Sequence, residues 1–394
     1  MVLVVWVALA GASVLPALRM SRRSDRAATE PSLPCQIIAS SGATLLVGFL
    51  AAFLQRVRAS GPLHPDVWNF WLPKAKTIFE TGRFDTSVGG YTSFTHPEYP
   101  PMAPVSDGVA FRFMGREDVL LLPAQHWVLF VAFLAALAGL LAGRVRPVIL
   151  WPSLASVALL PRLENLVGSS LADEPLAELF ALAGVCAALW LLERDWRHLA
   201  ACSLLLAALT MTKNEGLLLG LVLVAVLAAV TALRPWRVLV PLAAVPVLAA
   251  VPWRSWHAAN DARDDSDYRL GDLADPELLW DRIGRLGIAF REFPQYILDP
   301  GRWLLAVPLA LVLAALLSRR RPALAGFCAG TLVVVFLAYS TVFWIGLPEI
   351  RFYLDASAER LSAHLAVFAA ALVPLLAAEA YEPNRAPTGD RPRP

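Results

Sequence analysis

The sequence predicts an all-α polytopic membrane protein with about 11 transmembrane helices, and three observations lead to this fold class. Hydrophobic residues make up 57% of the 394-residue chain, charged residues make up 17%, and the mean hydropathy is +0.57. A soluble domain usually carries about 25% charged residues. Runs of Leu, Ala and Val recur along the chain, and a backbone in lipid must bond to itself, which favours helices. The arginines form no basic stripe, so we expect no nucleic-acid partner.

The positions of the arginines predict the topology. The first apolar stretch, residues 2–18, is followed rather than preceded by arginines, which is typical of a first span with its N-terminus outside and not of a cleavable signal peptide. The further predicted spans are residues 36–55, 119–142, 147–160, 175–192, 199–212, 216–233, 238–251, 303–317, 323–345 and 361–378. Alternate connections then carry Arg144, Arg146, Arg194, Arg197, Arg234, Arg237 and Arg319 to Arg321. The positive-inside rule makes that side cytoplasmic.

This topology gives one transmembrane catalytic domain, residues 1–380, with a Pro- and Arg-rich tail, residues 381–394, predicted to be disordered and cytoplasmic. Two long outer loops, residues 56–118 and 253–302, collect most of the acidic residues and histidines with a chemical role. The Ala-, Arg- and Pro-rich composition suggests a bacterium. We therefore expect a multi-pass protein of the cytoplasmic membrane with its active face toward the periplasm or the exterior. The four cysteines fall in or beside apolar spans, which argues against disulfides and Cys-based metal sites.

The first outer loop contains the segment on which the functional prediction rests. Asp66 precedes apolar residues at helical three- and four-residue steps, and Pro73 is expected to bend or divide this helix. We interpret it as an interfacial helix, with tryptophans at headgroup depth and Lys74 and Lys76 toward lipid phosphates. Asp66 is predicted to be the working carboxylate. The alternative is that it only caps the helix.

A second segment of this loop, Thr-His-Pro-Glu-Tyr-Pro-Pro at residues 95–101, is too rich in proline for a regular helix. It is expected to be a stiff loop that presents His96, Glu98 and Tyr99. His96 and Glu98, with Asp66, are also the candidate ligands of a divalent metal ion. The absence of a further histidine at ligand spacing leaves the metal requirement open.

Several charged residues fall within or beside predicted spans. The 35 residues of 199–233 reach about 52 Å as helix, whereas two crossings of the hydrocarbon need about 60 Å. Lys213 and Glu215 are therefore expected at hydrocarbon depth, where charges must pair or face a cavity. The alternative is a mutual pair or a snorkelling lysine. Asp173 and Glu174 stand at the start of a predicted span. A capping role and a role in a site are equally compatible with this position.

Further candidates lie near the ends of later spans. Arg254 stands at the water boundary, and Arg351 is in a short outer turn. Arg360 and His364 are four residues apart on one helix face and are expected to point together into the space above the last span. All three lysines, Lys74, Lys76 and Lys213, are on the predicted outer side, and an ammonium group binds phosphate as a point charge.

Together these pieces resemble the GT-C superfamily, the membrane glycosyltransferases that use polyprenyl-phosphate sugars. They are most similar to its bacterial branch with protein mannosyltransferases, aminoarabinose transferases and rhizobial core transferases, which is glycosyltransferase family 39-like. The resemblance covers about residues 36–378 and is carried by Asp66 with Trp68 and residues 74–76, 96–101, 171–177, 212–216 and 357–361.

The resemblance implies that Asp66 is the general base or the acceptor-binding carboxylate. The sugar would move from the polyprenyl-phosphate donor to a hydroxyl of a glycan, lipid or protein acceptor at the membrane, with inversion. Val67 stands where relatives often have a second acidic residue, and Glu98 is expected to substitute. Tyr99 stands where relatives can have a lysine. The donor phosphate would therefore be held by Lys74, Lys76, Lys213, Arg254, Arg351 and Arg360.

The other predicted substrate contacts are Trp68, His96, Tyr99, Asp173, Glu174, Glu215 and His364. Three alternatives stay open. An O-antigen ligase or polymerase would use a similar donor but is usually organised around a late outer loop. A lipid or solute transporter would use Lys213, Glu215 and Arg162 as an intramembrane site, and it predicts internal repeats that the sequence does not display. A membrane scaffold would leave the convergence of polar residues unexplained.

Overall fold

The computed structural model describes residues 32–61, 64–234, 236–260 and 262–381, and the regular secondary structure of this part of the chain is entirely helical. The predicted first span, the arginines that follow it and the predicted tail from residue 382 lie outside the described residues. Six described helices are long and apolar enough to cross a membrane, consistent with a polytopic membrane protein. Each of the ten predicted spans that fall within the described part overlaps a helix, but Pro147–Ala158, Asn214–Val230 and Ala306–Leu317 are among the helices shorter than those six.

In chain order the helices are α1 (Leu33–Ala59), α2 (Leu72–Thr81), α3 (Met102–Met114), α4 (Leu122–Leu141), α5 (Pro147–Ala158), α6 (Pro161–Ser169), α7 (Asp173–Glu193), α8 (Trp196–Thr212), α9 (Asn214–Val230), α10 (Trp236–Ala259), α11 (Pro276–Asp281), α12 (Ile283–Leu298), α13 (Pro300–Trp303), α14 (Ala306–Leu317), α15 (Pro322–Ile345) and α16 (Ile350–Tyr381). A π-helical turn, Val67–Trp71, precedes α2. Short 3₁₀ turns lie at Tyr91–Ser93, Val119–Leu121 and Leu270–Ala274.

Helices α7 and α16 form the centre of the molecule, because α7 over nearly its whole length and α16 from Leu361 onward are apolar and buried around most of their circumference. Small residues let them approach closely. A Cβ atom at Gly184 would clash with the ring of Phe368, and Phe180 stacks on the same ring at 5.0 Å between centroids. Helix α16 also packs against α5, α12, α14 and α15. The central pair therefore supplies a rigid frame for side chains at its ends.

At one end of this frame, connections that the sequence assigns to one side of the membrane lie together. Arg144 binds Glu193 at 3.0 Å and Glu379 at 2.9 Å, and Arg321 binds Glu379 at 3.0 Å. His198 also reaches Glu193 at 3.0 Å. One ionic cluster therefore joins the ends of α7, α8 and α16 to the connections that precede α5 and α15. We call this the arginine end.

At the opposite end, which we call the loop end, the two predicted outer loops pack against each other. The indole Nε1 of Trp253 donates to the carbonyl oxygen of Glu98 at 3.0 Å, and the backbone N–H of Asp265 donates to the Glu98 carboxylate at 3.3 Å. Contacts between residues so distant in sequence place both loops over the same end of the helix bundle.

The first loop differs in part from the lipid-facing helix that the sequence predicts. Pro73 lacks an N–H, and the turn before it is π-helical. The apolar face of this segment packs into the protein, so that Trp71 and Lys74 are buried inside it and do not face lipid. Trp68 is half exposed, because it lies on the other side of the turn.

Candidate functional site

A narrow cavity at the loop end, which we call the central cavity, is the place where distant parts of the chain meet. Asp173 at the start of α7, Lys213 between α8 and α9, and Arg360 in α16 reach it. Its wall also contains Tyr99, Asn214, Glu215, Ser266, Asp267, Tyr268, Tyr339, Val342, Tyr353, Ser357 and Leu361. The cavity therefore has an ionic side and an aromatic side.

The ionic side is a connected chain of charges. Nη1 of Arg360 lies 2.6 Å from Oδ2 of Asp66 and 3.9 Å from Oδ2 of Asp173. Nζ of Lys213 lies 2.9 Å from Oδ1 of Asp173 and 3.2 Å from Oε1 of Glu215. Each cation thus bridges two carboxylates. The predicted Lys213–Glu215 pair is present, and Asp173 joins it to Arg360, which places Asp66 at one end of the chain.

The second loop adds a further carboxylate to this cavity. The carbonyl oxygen of Asp267 accepts a hydrogen bond from the N–H of Leu347 at 2.7 Å, which fixes the loop beside the start of α16. Burial raises the pKa of Asp267 above its ordinary value. Sequence reasoning missed Asp267, Tyr268 and Tyr353 as site residues, because nothing in their local pattern distinguishes them from other loop or helix residues.

In the loop of residues 95–101, the side chain directed at the central cavity is that of Tyr99. Its ring is stacked between His96, at 4.7 Å, and Trp71, at 5.7 Å between centroids. The Glu98 carboxylate instead binds Nδ1 of His96 at 3.1 Å and the N–H of Asp265 at 3.3 Å. The expectation that Glu98 stands in for a second catalytic acid is therefore not met by this geometry. Glu98 fastens the two loops together.

Lys74 supports the loop of residues 95–101 from inside the protein and is not placed to hold a phosphate. Its Nζ atom donates to the carbonyl oxygen of His96 at 2.5 Å, and His96 has a φ of 54°, a region that few residues other than glycine adopt. The rings of Phe70, Trp71 and Tyr91 surround the amine at 5.3–5.8 Å. Burial lowers the pKa of Lys74 to about 7.

Three other predicted phosphate or substrate contacts lie away from the central cavity. Lys76 points outward and binds Glu117 at 3.0 Å. Arg254 lies on the exposed side of α10, beside a separate small pocket, and Arg351 is exposed at the start of α16. Their positions follow from helix periodicity, since each lies on the face opposite to the buried residues around it.

Glu174 and His364 are buried but do not line the central cavity. Glu174 binds Nδ1 of His126 at 2.7 Å on the other side of α7 from Asp173. His364 shares a face with Arg360 but lies one turn deeper, where its Nδ1 is 2.6 Å from the hydroxyl of Tyr339. Arg360 therefore reaches the cavity, and His364 supports one of its walls through Tyr339.

The three candidate metal ligands do not form one ligand set. Asp66 pairs with Arg360, whereas His96 and Glu98 pair with each other. Within the part of the chain that the structure describes, no group of three or more His, Cys, Asp or Glu side chains is arranged to hold a metal ion.

A second and wider opening adjoins the same arginine. This opening, which we call the lateral groove, has a volume of about 440 Å³ and lies between α1, α6 and α16. Its basic side chains are Arg56, His64, Arg162 and Arg360, and its acidic ones are Glu164, Asp355 and Glu359. Arg360 lines both the lateral groove and the central cavity, and Asp66 is hydrogen-bonded to it.

Sequence reasoning did not identify Arg56 and His64 as site residues and considered Arg162 only as part of a transporter site. The available signal was the shortness of the predicted span 147–160, which brings Arg162 to membrane depth. In the structure Arg162 binds Glu359 at 3.3 Å, and Arg56 binds Glu164.

Comparison of the chain with models of protein families, with curated proteins and with solved structures finds no significant match. The arrangement of its own side chains is therefore the basis for a functional argument.

Proposed function

We propose that this protein is a membrane glycosyltransferase that moves a sugar from a polyprenyl-phosphate donor to a hydroxyl acceptor. The observation that carries the proposal is the Asp66–Arg360 ion pair, whose arginine lines both the lateral groove and the central cavity. One opening offers cations for a phosphate, and the other offers tyrosines and carboxylates for a polar acceptor. Asp66, a potential base, is hydrogen-bonded to the arginine that lines both.

The proposal includes a finer topology of 11 spans in the cytoplasmic membrane, with the loop end facing the periplasm or exterior. It is supported by the gathering of Arg144 and Arg321 at the arginine end, because short cytoplasmic connections carry the excess of arginine.

The lateral groove suits a lipid-linked phosphate for two reasons. Helix α1, which forms one wall, exposes apolar side chains on the helix face that carries Arg56, among them Ile38 and Leu45, along which a polyprenyl chain can lie. Arg56, Arg162 and Arg360 stand at the end of this helix. A guanidinium group binds phosphate through two parallel hydrogen bonds, and it stabilises the charge that develops on a phosphate leaving group.

The proposed reaction is a single displacement. An acceptor hydroxyl in the central cavity attacks the anomeric carbon, and the Asp66 carboxylate takes the hydroxyl proton. The new bond joins acceptor oxygen and anomeric carbon while the bond from that carbon to the phosphate oxygen breaks, and the polyprenyl phosphate leaves with the electron pair. Attack opposite to the leaving group inverts the anomeric configuration.

In this proposal Arg360 has one partner before the donor binds and another partner afterwards. Without donor it neutralises Asp66 at 2.6 Å. A donor phosphate competes for the same guanidinium group, and its binding frees the Asp66 carboxylate to accept a proton. Asp173 and Lys213 are positioning residues, since Asp173 contacts both Arg360 and Lys213.

Native mass spectrometry of the protein purified in mild detergent tests the proposal. Wild-type protein should carry a polyprenyl phosphate or its sugar conjugate. Asp66→Asn should retain intact donor, because transfer falls by roughly 10²–10⁴-fold without the base. Arg162→Ala should lose the donor, whereas Arg254→Ala, which removes an exposed arginine outside both openings, should behave as wild type.

Ordinary phospholipid alone in all four samples would contradict the transferase proposal and favour the transporter. Donor retained in Arg162→Ala but lost in Arg254→Ala would show that the phosphate site is elsewhere. A product with retained anomeric configuration would exclude single displacement.

A further inference from the structure

A third opening, separate from both described above, lies between α3, α4, α7 and α8. This opening, which we call the α7 groove, has a volume of about 310 Å³. Apolar side chains form most of its length, among them Leu129, Phe133, Leu179 and Leu182. One end is different in character, because Asp107, Gln125, His126 and Glu178 line it.

The polar end contains more buried acid than buried base. Asp107, Glu174 and Glu178 are each at least 96% buried, and His126 is 97% buried. His126 is hydrogen-bonded to Glu174 at 2.7 Å, and Gln125 donates to Asp107 at 3.0 Å. Glu174 and Glu178 lie beside each other, one helical turn apart. The cluster thus contains three carboxyl groups and one imidazole.

Two oxygen atoms of this cluster are short of donors. Among the described residues, Oε1 of Glu174 and Oε1 of Glu178 face no donor other than a proton shared between these two carboxyl groups, which lie within hydrogen-bond distance of each other. A buried carboxylate oxygen without a partner is costly, and like charges one helical turn apart repel each other. A cation beside Glu178 at the end of the groove would relieve both.

The first turn of α7 keeps this cluster apart from the central cavity. Asp173 points toward Lys213, and the next residue, Glu174, points toward His126. In the same way, Thr212 lines the α7 groove and Lys213 lines the central cavity. The two openings therefore lie on opposite sides of the first turn of α7 and are lined by different residues.

We propose that the α7 groove binds a single-chain amphiphile with a protonated amine head, its chain along Leu129, Phe133 and Leu182 and its ammonium group between Glu178 and Asp107. An ammonium group has three donors and a full charge, whereas a hydroxyl offers one donor and no charge. The groove therefore selects the amine over an alcohol with the same chain. This inference goes beyond glycosyl transfer and does not depend on it.

The proposal is tested by titration calorimetry at pH 8, which measures the binding of decylamine and of decanol to the intact protein in an uncharged detergent. Burial raises the pKa of Asp107 to about 6, so that this carboxyl is ionised at the chosen pH. Wild-type protein should bind decylamine at least roughly tenfold more tightly than decanol, as expected for a charge-assisted contact.

Glu178→Gln keeps the size of the side chain and should remove most of this preference while decanol binding stays unchanged. Asp107→Asn should also reduce the preference for decylamine, and it replaces Glu178→Gln as the test variant if Glu178→Gln does not fold. Glu80→Gln makes the same chemical change at an exposed position on α2 and should leave the preference intact. Ala136→Phe should weaken both ligands, because it fills the part of the groove assigned to the chain.

Equal affinity of the two ligands for wild-type protein would overturn the proposal and show that the carboxyl groups are satisfied by protons. A preference that survives both Glu178→Gln and Asp107→Asn would also overturn it, since the amine would then bind elsewhere. Neither result bears on transfer of a sugar, because binding and not turnover is measured.

Discussion

Arg360 shows how one side chain connects two parts of the candidate site. It contacts Asp66 from the first loop and Asp173 from α7, two residues 107 positions apart in the sequence. The sequence supports Arg360 and Asp66 as candidates, each within its own segment. Their pairing depends on the folding of the first loop over the end of α16, which no local pattern contains.

Lys74 gives a pH-dependent prediction at the residue scale. Burial lowers its pKa to about 7 in the folded protein, whereas the unfolded chain keeps the proton up to the ordinary value of 10.5. The unfolded state therefore binds more protons between these two values, and the contribution of Lys74 to stability rises with pH across that window. Lys74→Met removes this dependence, so its melting temperature relative to wild type should fall as pH rises from 7 to 10.

Thermal unfolding of both proteins in detergent at several pH values measures this difference. The change across the window should be a few kcal/mol at most, at about 1.4 kcal/mol per pKa unit. Lys76→Met is the matched control, because Lys76 is exposed and its pKa is raised by Glu117. A difference between Lys74→Met and wild type that does not vary with pH would contradict the assignment.

At the scale of elements, the break between α8 and α9 determines where Lys213 points. Lys213 is extended, with φ −158° and ψ 161°, and Gly216 packs directly against the backbone of the preceding helix. A Cβ atom at Gly216 would clash with the carbonyl oxygen of Leu209. A glycine is therefore needed here for close approach of two backbones.

Gly216→Ala should destabilise the protein by about 1–3 kcal/mol, because a backbone carbonyl cannot move aside as a side-chain tip can. It should also weaken donor binding through displacement of Lys213. Gly220→Ala, one turn further along α9, is the control, since its Cβ atom would meet its nearest neighbours at 3.7 and 3.9 Å. Equal melting temperatures for the two variants would contradict the close-approach argument.

The helices themselves were largely predictable, and the differences occur where polar residues continue an apolar helix. The predicted last span, residues 361–378, is the inner part of α16, which begins at Ile350. Its first three turns carry Arg351, Asp355 and Glu359 and form part of the lateral groove and its surroundings. Hydropathy identifies the apolar part of such a helix and misses the polar extension that builds a site.

At the scale of the whole molecule, the arginine end ties separate helices together through Glu379. This side chain is buried and binds both Arg144 and Arg321. Glu379→Gln should lower the free energy of unfolding by about 1–3 kcal/mol, because it leaves two arginines with a weaker shared partner. Chemical unfolding in detergent measures this.

Glu117→Gln is the control, since it removes a single exposed pair, which contributes at most about 1 kcal/mol. If both variants lose equal stability, Glu379 does not join the helices in the way that the structure indicates. Because Glu379 is far from the loop end, its loss should leave lipid binding unchanged in protein that remains folded.

The sequence by itself determined that the chain is helical and membrane-embedded, where its apolar helices lie, and that Asp66, Asp173, Lys213 and Arg360 are candidates, because composition, periodicity and the cost of intramembrane charge are local properties. Only the tertiary structure decided which of these meet. Lys74 turned inward to support a loop, Glu174 turned away from Asp173 toward His126, and Arg162 joined Arg360 at the lateral groove. These outcomes depend on the rotation of each helix and on contacts between residues far apart in sequence. Local sequence patterns do not determine either of these.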